Sequence, residues 1–289
     1  MPLYVKLPKA IWLGLLLCCS ASQWADAKQA KDNPRIISAG GSITEILFAL
    51  DLGDKVVGVD SSSLYPERAT QLPQVGYFRS LGAEGLMSLS PDIIIAAKGA
   101  GPSAVLKQVN KLGIEVRAYD QHSYTLEAWK ELITELGRDY SKTNEAAQLI
   151  GKVTQGLSGQ LQQRRYQQQQ LNALVLLSIG QRGPIVAGNN TVPKLLLTLA
   201  GINNLAYALD GYKPFSSELM ATGKLDLVLI PSHVIASLGG EKAVCDNQII
   251  KLAMDGDCNI HVMDPLLLMG FGARLDQAVG EIIGRANKL

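Results

Sequence analysis

The sequence predicts an α/β protein of two lobes, each with a mostly parallel sheet flanked by helices, joined by a single long interdomain helix. Three observations lead there. Short β-rich runs alternate with helix-like segments in the first half of the chain, which implies βαβ units. The alternation stops over a long polar stretch with apolar residues three and four apart, then restarts. After removal of a leader of 27 residues, about 262 remain, more than one compact core usually holds.

The first set of strand-like runs is Arg35–Ala39, Val56–Asp60, Asp92–Ala97 and Glu115–Tyr119, separated by helix-like Thr44–Leu50, Pro102–Leu112 and Leu126–Leu136. Asp92-Ile-Ile-Ile-Ala-Ala is continuously apolar, as expected of a strand covered on both faces. From Ser141 to Gln170 the residues Ala146, Leu149, Ile150, Val153, Leu157 and Leu161 fit one amphipathic helix of roughly 28 residues. Gly151, Gly156 and Gly159 weaken its propensity, so packing must support it. Strands then resume at Ala173–Ile179, Leu225–Ile230 and Ile260–Met263, with helices near Val192–Ala200, Cys245–Ala253 and Leu275–Asn287. The expected divisions are a leader at 1–27, a first lobe at 28–140, the linking helix at 141–170 and a second lobe at 171–289. A ligand site is expected between the lobes, near the carboxyl ends of strands.

The leader has the layout of a secretory signal peptide: Lys6 and Lys9, an apolar run from Ile11 to Cys19, then Ala25-Asp26-Ala27 as a cleavage site. That run is shorter than the ~20 apolar residues a membrane span needs. An exported protein, cleaved near Ala27, is expected. Without Lys6, Lys9 and Asp26 the chain carries 25 basic and 25 acidic residues. Such a neutral chain argues against nucleic-acid binding, which needs concentrated Lys and Arg. With 47% hydrophobic and 18% charged residues, the chain is not disordered or fibrous. Past the leader two cysteines remain, Cys245 and Cys258, and in an oxidising compartment they are expected to form a disulfide. The competing reading is a metal pair with His261 nearby, although that set matches no usual zinc spacing.

Gly99-Ala-Gly101-Pro-Ser-Ala104 follows a strand, opens a helix and precedes Asp120 by about twenty residues, superficially like a dinucleotide fingerprint. Pro102 removes a backbone donor where phosphate would sit, which favours a plain strand-to-helix turn at the cleft rim. The histidines are scattered at 122, 233 and 261, of which His233 could border the cleft. The segment Val75-Gly-Tyr77-Phe-Arg79-Ser-Leu-Gly-Ala-Glu84 is more informative: turn residues surround a phenol two positions from a guanidinium. Such a Tyr either packs on its own lobe or serves as a phenolate ligand for a ferric ion. With an ordinary pKa near 10, a phenol needs an adjacent cation to ionise at neutral pH, and Arg79 could help or could hold a ligand carboxylate.

Arg35-Ile-Ile-Ser-Ala-Gly-Gly-Ser-Ile-Thr-Glu45, Val56-Val-Gly-Val-Asp60, Tyr65-Pro66, Val75-Gly-Tyr77 and Leu89-Ser-Pro-Asp92 resemble the periplasmic haem-binding proteins of bacterial ABC importers. The resemblance runs on through Ala187-Gly-Asn-Asn-Thr191, Leu199-Ala-Gly201, Gly211-Tyr-Lys-Pro214 and Gly270-Phe-Gly272. It implies a non-enzymatic periplasmic carrier that takes ferric haem as cargo in the interlobe cleft. Tyr77 matches the loop tyrosine that coordinates haem iron, and Arg79, Lys213 and Arg182 are the candidates for the propionates. Relatives that stack two haems use a His where this chain reads Ser178-Ile-Gly-Gln-Arg182, so a single haem is expected. Glu84 and Glu218 match the two acidic residues with which the wider superfamily docks on a permease dimer, itself coupled to its ATPase, and upstream supply could come from an outer-membrane haem receptor system. The protein is expected to act as a monomer without nucleic acid. The alternative cargo is a ferric siderophore or cobalamin, shared by the wider superfamily; an exported enzyme using the Gly99 turn is the reading from another class.

Overall fold

The computed structural model describes residues 33–119, 123–166, 170–180, 183–215 and 223–289, and Arg35–Leu289 form one compact unit. The first sheet comprises β1 (Ile36–Ala39), β2 (Val56–Val59), β3 (Ile93–Ala97) and β4 (Glu115–Tyr119), all parallel, in the order β2-β1-β3-β4. Around it lie α1 (Gly41–Ala49), α2 (Glu67–Thr70), α3 (Ala83–Ser88), α4 (Ser103–Lys111) and α5 (Leu126–Asp139). α6 (Thr143–Gln162) leads into the second sheet. There β5 (Asn172–Gly180) pairs in parallel with β7 (Asn203–Asn204) and β9 (Leu227–Pro231), which in turn pairs with β10 (Ile260–Met263). The other end of the sheet is an antiparallel extension through β6 (Gly183–Ala187) and β8 (Tyr212–Pro214). The flanking helices are α7 (Val192–Ala200), α8 (Ser232–Ser237), α9 (Glu241–Cys245), α10 (Gln248–Ala253), α11 (Pro265–Met269) and α12 (Leu275–Ala286). The two-lobed α/β architecture with two separate sheets agrees with the sequence reading.

Alternation within β3 explains its continuous apolar run. Ile93 and Ile95 face the central core with Ile36, while Ile94 and Ala96 face an outer layer with Ile37, Leu86 and Val109. The central core then continues through Trp129, Ile133, Val153, Leu157 and Ile282 to Ala173, Val175, Leu227 and Leu229 of the second sheet. One apolar core therefore runs from sheet to sheet through α5, α6 and α12.

Three differences from the sequence reading have local causes. The linking helix, expected over 141–170, ends at Gln162, where its last fully buried residue is Leu157. Beyond it the chain is held by tertiary bonds that a helix could not make: Arg165 N donates to Asn287 Oδ1 at 2.8 Å and the Tyr166 hydroxyl to the Ala200 carbonyl at 2.7 Å. The expected helix over Cys245–Ala253 is two short ones, because the Asn247 side chain caps α10 by accepting from the amides of Ile249 and Ile250. The β6–β8 extension escaped notice because its strands are short and lie beside Gly and Pro. The supporting contacts demanded by the α6 glycines are found at Gly156, where a Cβ would come within 2.4 Å of Asp276 Oδ2 on α12. Cys245 and Cys258 form the expected disulfide, with the Cα atoms 5.8 Å apart.

The segment Gly270–Arg274, which feeds α12, is bonded to the first lobe along its length. Phe271 N donates to Ser42 Oγ at 2.9 Å, the Trp129 indole to the Gly272 carbonyl at 2.7 Å, and Ala273 N to Glu45 Oε2 at 3.0 Å. Arg274 Nε donates to Glu45 Oε1 at 2.9 Å, its Nη2 pairs with the same oxygen, and its guanidinium lies 3.8 Å over the Tyr65 ring. Burial of Glu45 outweighs these bonds and raises its pKa above the ordinary 4.5, with Arg274 pulling it back. Removing one partner of a buried pair strands the other, so Arg274→Ala should cost about 3–5 kcal/mol in urea unfolding. A carboxyl with a raised folded pKa stabilises most below its unfolded value and loses that contribution as pH rises through the folded one. The stability of the wild type relative to Glu45→Gln should therefore increase as pH falls towards 4.5.

Candidate functional site

The loops after β1, β2 and β3 converge at the carboxyl edge of the first sheet, and Tyr77 lies on a segment bonded to those after β2 and β3. Gly76 takes φ +99°, a left-handed conformation that favours glycine, and turns the chain into Tyr77. On one side, Ser61 N donates to the Gly76 carbonyl at 2.9 Å. On the other, Phe78 N donates to Asp60 Oδ2 at 3.2 Å, and the Phe78 carbonyl accepts from Gly101 N at 2.8 Å. Ser80 N closes the turn on the Tyr77 carbonyl at 2.8 Å. With its backbone so held, Tyr77 leaves 45% of its surface exposed and meets the edge of Phe78, ring centroids 4.9 Å apart. Arg79 is exposed beside it, its guanidinium 5.2 Å over the Phe78 ring. An exposed phenol on a fixed loop with a cation two residues away suits an anionic or metal-bearing ligand.

The second lobe contributes Tyr212 on β8. Part of its ring is open, 45% exposed. Its hydroxyl end is crowded, and that withdrawal from water, aided by the Tyr124 phenol, pushes its pKa up to about 12 while Arg79 pulls it down. Arg79 thus lies near enough to Tyr212 for its charge to favour the ionised phenol. Tyr124 in turn packs edge-on to Phe271 of the Gly270–Arg274 segment, centroids 5.4 Å apart. Lys213 is exposed and, by strand alternation, projects from the face of β8 opposite Tyr212.

Of the residues singled out in the sequence, Tyr77 and Arg79 both lie against the Phe78 ring. Arg182, Glu218 and His122 lie outside the described residues. Glu84 is exposed in the first turn of α3. His233 is exposed in the first turn of α8, and His261, on the edge strand β10, lies 2.9 Å from Glu281. The Gly99 turn is a strap for the Tyr77 loop: its Gly101 amide is spent on Phe78 and its carbonyl accepts from Leu81 N at 2.7 Å. No group of three or more His, Cys, Asp or Glu able to hold a metal occurs among the described residues. Sequence reasoning missed two residues. Tyr212 stood within the noted Gly-Tyr-Lys-Pro stretch, on a strand too short to show alternation; Asp60 ended a noted strand, but nothing in the sequence shows how many donors it gathers.

Residues 36–251 match the periplasmic binding protein family. The chain belongs to it. Among curated members, a vitamin B12-binding protein of Vibrio campbellii is 27% identical over 207 residues, 71% of this chain and 73% of the relative. One from Yersinia pestis is 40% identical over a shorter 82 residues, 28% of this chain and 29% of the relative. Similar solved structures include the periplasmic haem-binding protein RhuT of Roseiflexus sp. RS-1, with TM-score 0.78 and 30% identity over 89% of this chain and 98% of that one. HutB of Vibrio cholerae, also a periplasmic haem-binding protein, gives TM-score 0.78 and 32% identity over 87% of this chain and 98% of its own. BhuT, solved with two haems bound, gives TM-score 0.80 and 30% identity over 88% of this chain and 98% of its own. These family members are substrate-binding transport proteins of the periplasm.

The Arg79–Tyr212 relation can be checked directly. Arg79→Ala should move the Tyr212 pKa further above about 12, read by NMR of ring-labelled tyrosine with Tyr212→Phe for assignment. An unchanged titration would place the two residues out of reach of each other.

Proposed function

We propose that this protein captures ferric haem in its interlobe cleft and delivers it to the permease dimer of an ABC importer, which the associated ATPase drives. The observation that carries this reading is Tyr77, an exposed phenol on a loop tied down on both sides, with Arg79 beside it. Haem iron is held by Tyr oxygen in known proteins, and the similarity to haem-binding proteins at 30–32% identity spans most of the chain. In this reading the Tyr77 oxygen ligates iron as phenolate, and the ferric charge favours that form. Arg79 pairs with a propionate, and Arg182 is a further candidate for that role; Lys213, on the face of β8 opposite Tyr212, is set aside. Tyr212 and Tyr124 wall the other side of the porphyrin. Glu84 and Glu218 dock on the permease through paired charges on the two lobes. The leader is removed near Ala27 and the monomeric carrier works in the periplasm.

The vitamin B12-binding relatives support a second reading, cobalamin as cargo. Cobalamin carries its own cobalt ligand set and gains nothing from a phenolate, so Tyr77 separates the two. Titration with hemin should give a saturable spectrum of oxygen-ligated high-spin ferric haem, with affinity reduced by more than about 100-fold in Tyr77→Ala. A stoichiometry of one haem is expected, from the lack of a His in Ser178–Arg182; two would align the chain with the BhuT complex. Saturable binding of cyanocobalamin with none of hemin would overturn the haem reading.

A further inference from the structure

We infer that Asp60 is the positioning residue of the ligand site, acting through Tyr77. It stands just past the carboxyl end of β2 and is fully buried, 0% exposed. Its Oδ1 accepts from Gly40 N and Ser63 Oγ, each at 2.8 Å. Its Oδ2 accepts from Ser62 N at 2.9 Å, Ser62 Oγ at 2.6 Å and Phe78 N at 3.2 Å. These are five donors on two oxygens, and each of them is neutral. A carboxylate's two oxygens offer about four lone-pair sites, enough to gather this many donors. Bonds to an ionised acceptor are about twice as strong as neutral ones.

What these donors belong to gives the residue its role. Gly40 ends the β1 turn and caps α1, Ser62 and Ser63 form the β2 loop, and Phe78 is the neighbour of Tyr77. Ser62 Oγ also accepts from Gly41 N at 3.1 Å, and Ser63 Oγ lies 2.7 Å from Thr44 Oγ1, itself 2.7 Å from Ser38 Oγ. One carboxylate thus joins the Tyr77 loop to a buried hydroxyl chain that reaches the first strand and helix. Asp60 has no route to the ligand of its own, since its side chain is sealed from solvent. Its effect is to fix the loop before the ligand arrives, so that ordering is not charged against binding.

This assignment deepens the haem reading and rests on it for the ligand, but loop order can be measured without any ligand. The test compares wild type, Asp60→Asn, Ser62→Ala, Tyr77→Ala and the Asp60→Asn/Tyr77→Ala double variant of the purified chain. Amide hydrogen exchange over residues 75–81 should speed up in Asp60→Asn and, more modestly, in Ser62→Ala. Hemin affinity should fall about 10- to 100-fold in Asp60→Asn, the range for groups that orient metal ligands. In the Tyr77→Ala background the same substitution should change affinity less than about twofold, because coupled residues are non-additive. An equal loss in both backgrounds would mean general damage and overturn the assignment, as would unchanged exchange over 75–81. Where Asp60→Asn fails to fold, Ser62→Ala and its double variant with Tyr77→Ala carry the same comparison. If the wild type binds no hemin, the haem reading falls, and the exchange data alone decide the role of Asp60.

Discussion

The structure depends on a single apolar core shared by its two sheets. In a binding protein with flexible linkers, each lobe closes its own core and the lobes swing about the connection. Here the inner faces of both sheets bury their Ile, Val and Leu side chains against the same helices, α5, α6 and α12. A wide swing of one lobe would open that layer to water, at about 25 cal/mol for each Å² of apolar surface exposed. The bonds from Ser42, Glu45 and Trp129 to the Gly270–Arg274 segment add direction to the same restraint. A ligand site on such a scaffold is supported by elements that resist a wide swing. Its selectivity must then come from which side chains are held in place at its rim, more than from how the lobes close.

Two buried carboxylates serve that arrangement by opposite means. Glu45 is partnered by a guanidinium, and the desolvation it suffers exceeds what Arg274 returns. It ties lobe to lobe, where a charged pair between helix and loop fixes the approach of two surfaces. Asp60 is surrounded by amides and hydroxyls instead. A cation there would have needed room at the crowded strand ends, whereas backbone N–H groups were already present and unpaired at the turns. Using them ties three loop segments to one carboxylate.

How much of this was legible in the sequence follows the range of the interactions involved. The strands of the first sheet were readable because their apolar runs report burial directly, and β3 announced its two covered faces by lacking alternation. The end of α6 was not, since it is set by Arg165 and Tyr166 bonding to residues 122 and 34 positions away. Tyr77 and Arg79 were legible as a phenol and a guanidinium in one loop. Arg79's neighbour Tyr212 was noted only within a Gly-Tyr-Lys-Pro stretch, because the antiparallel extension that carries it has strands too short to show a pattern. Asp60 shows the limit most plainly: an Asp after a strand is ordinary, and its five donors come from residues 20 positions before it to 18 after it.

The division of labour around Tyr77 bears on the chemistry proposed for it. Were the phenol to pack into its own lobe, as loop tyrosines commonly do, the loop could be mobile and the ring would supply the stability. The reverse is seen: the backbone on both sides is bonded, and the ring, set edge-on to Phe78, leaves 45% of the residue exposed. Little in the fold is gained from the ring itself, and much is spent holding it out. Such an arrangement makes physical sense where the oxygen is to meet something that supplies the missing interaction. A ferric centre does so for a phenol, since the metal charge stabilises the phenolate that neutral water would leave protonated. An uncharged or already saturated cargo would have no such use for it, and the fixed, exposed phenol would then be a cost without a return.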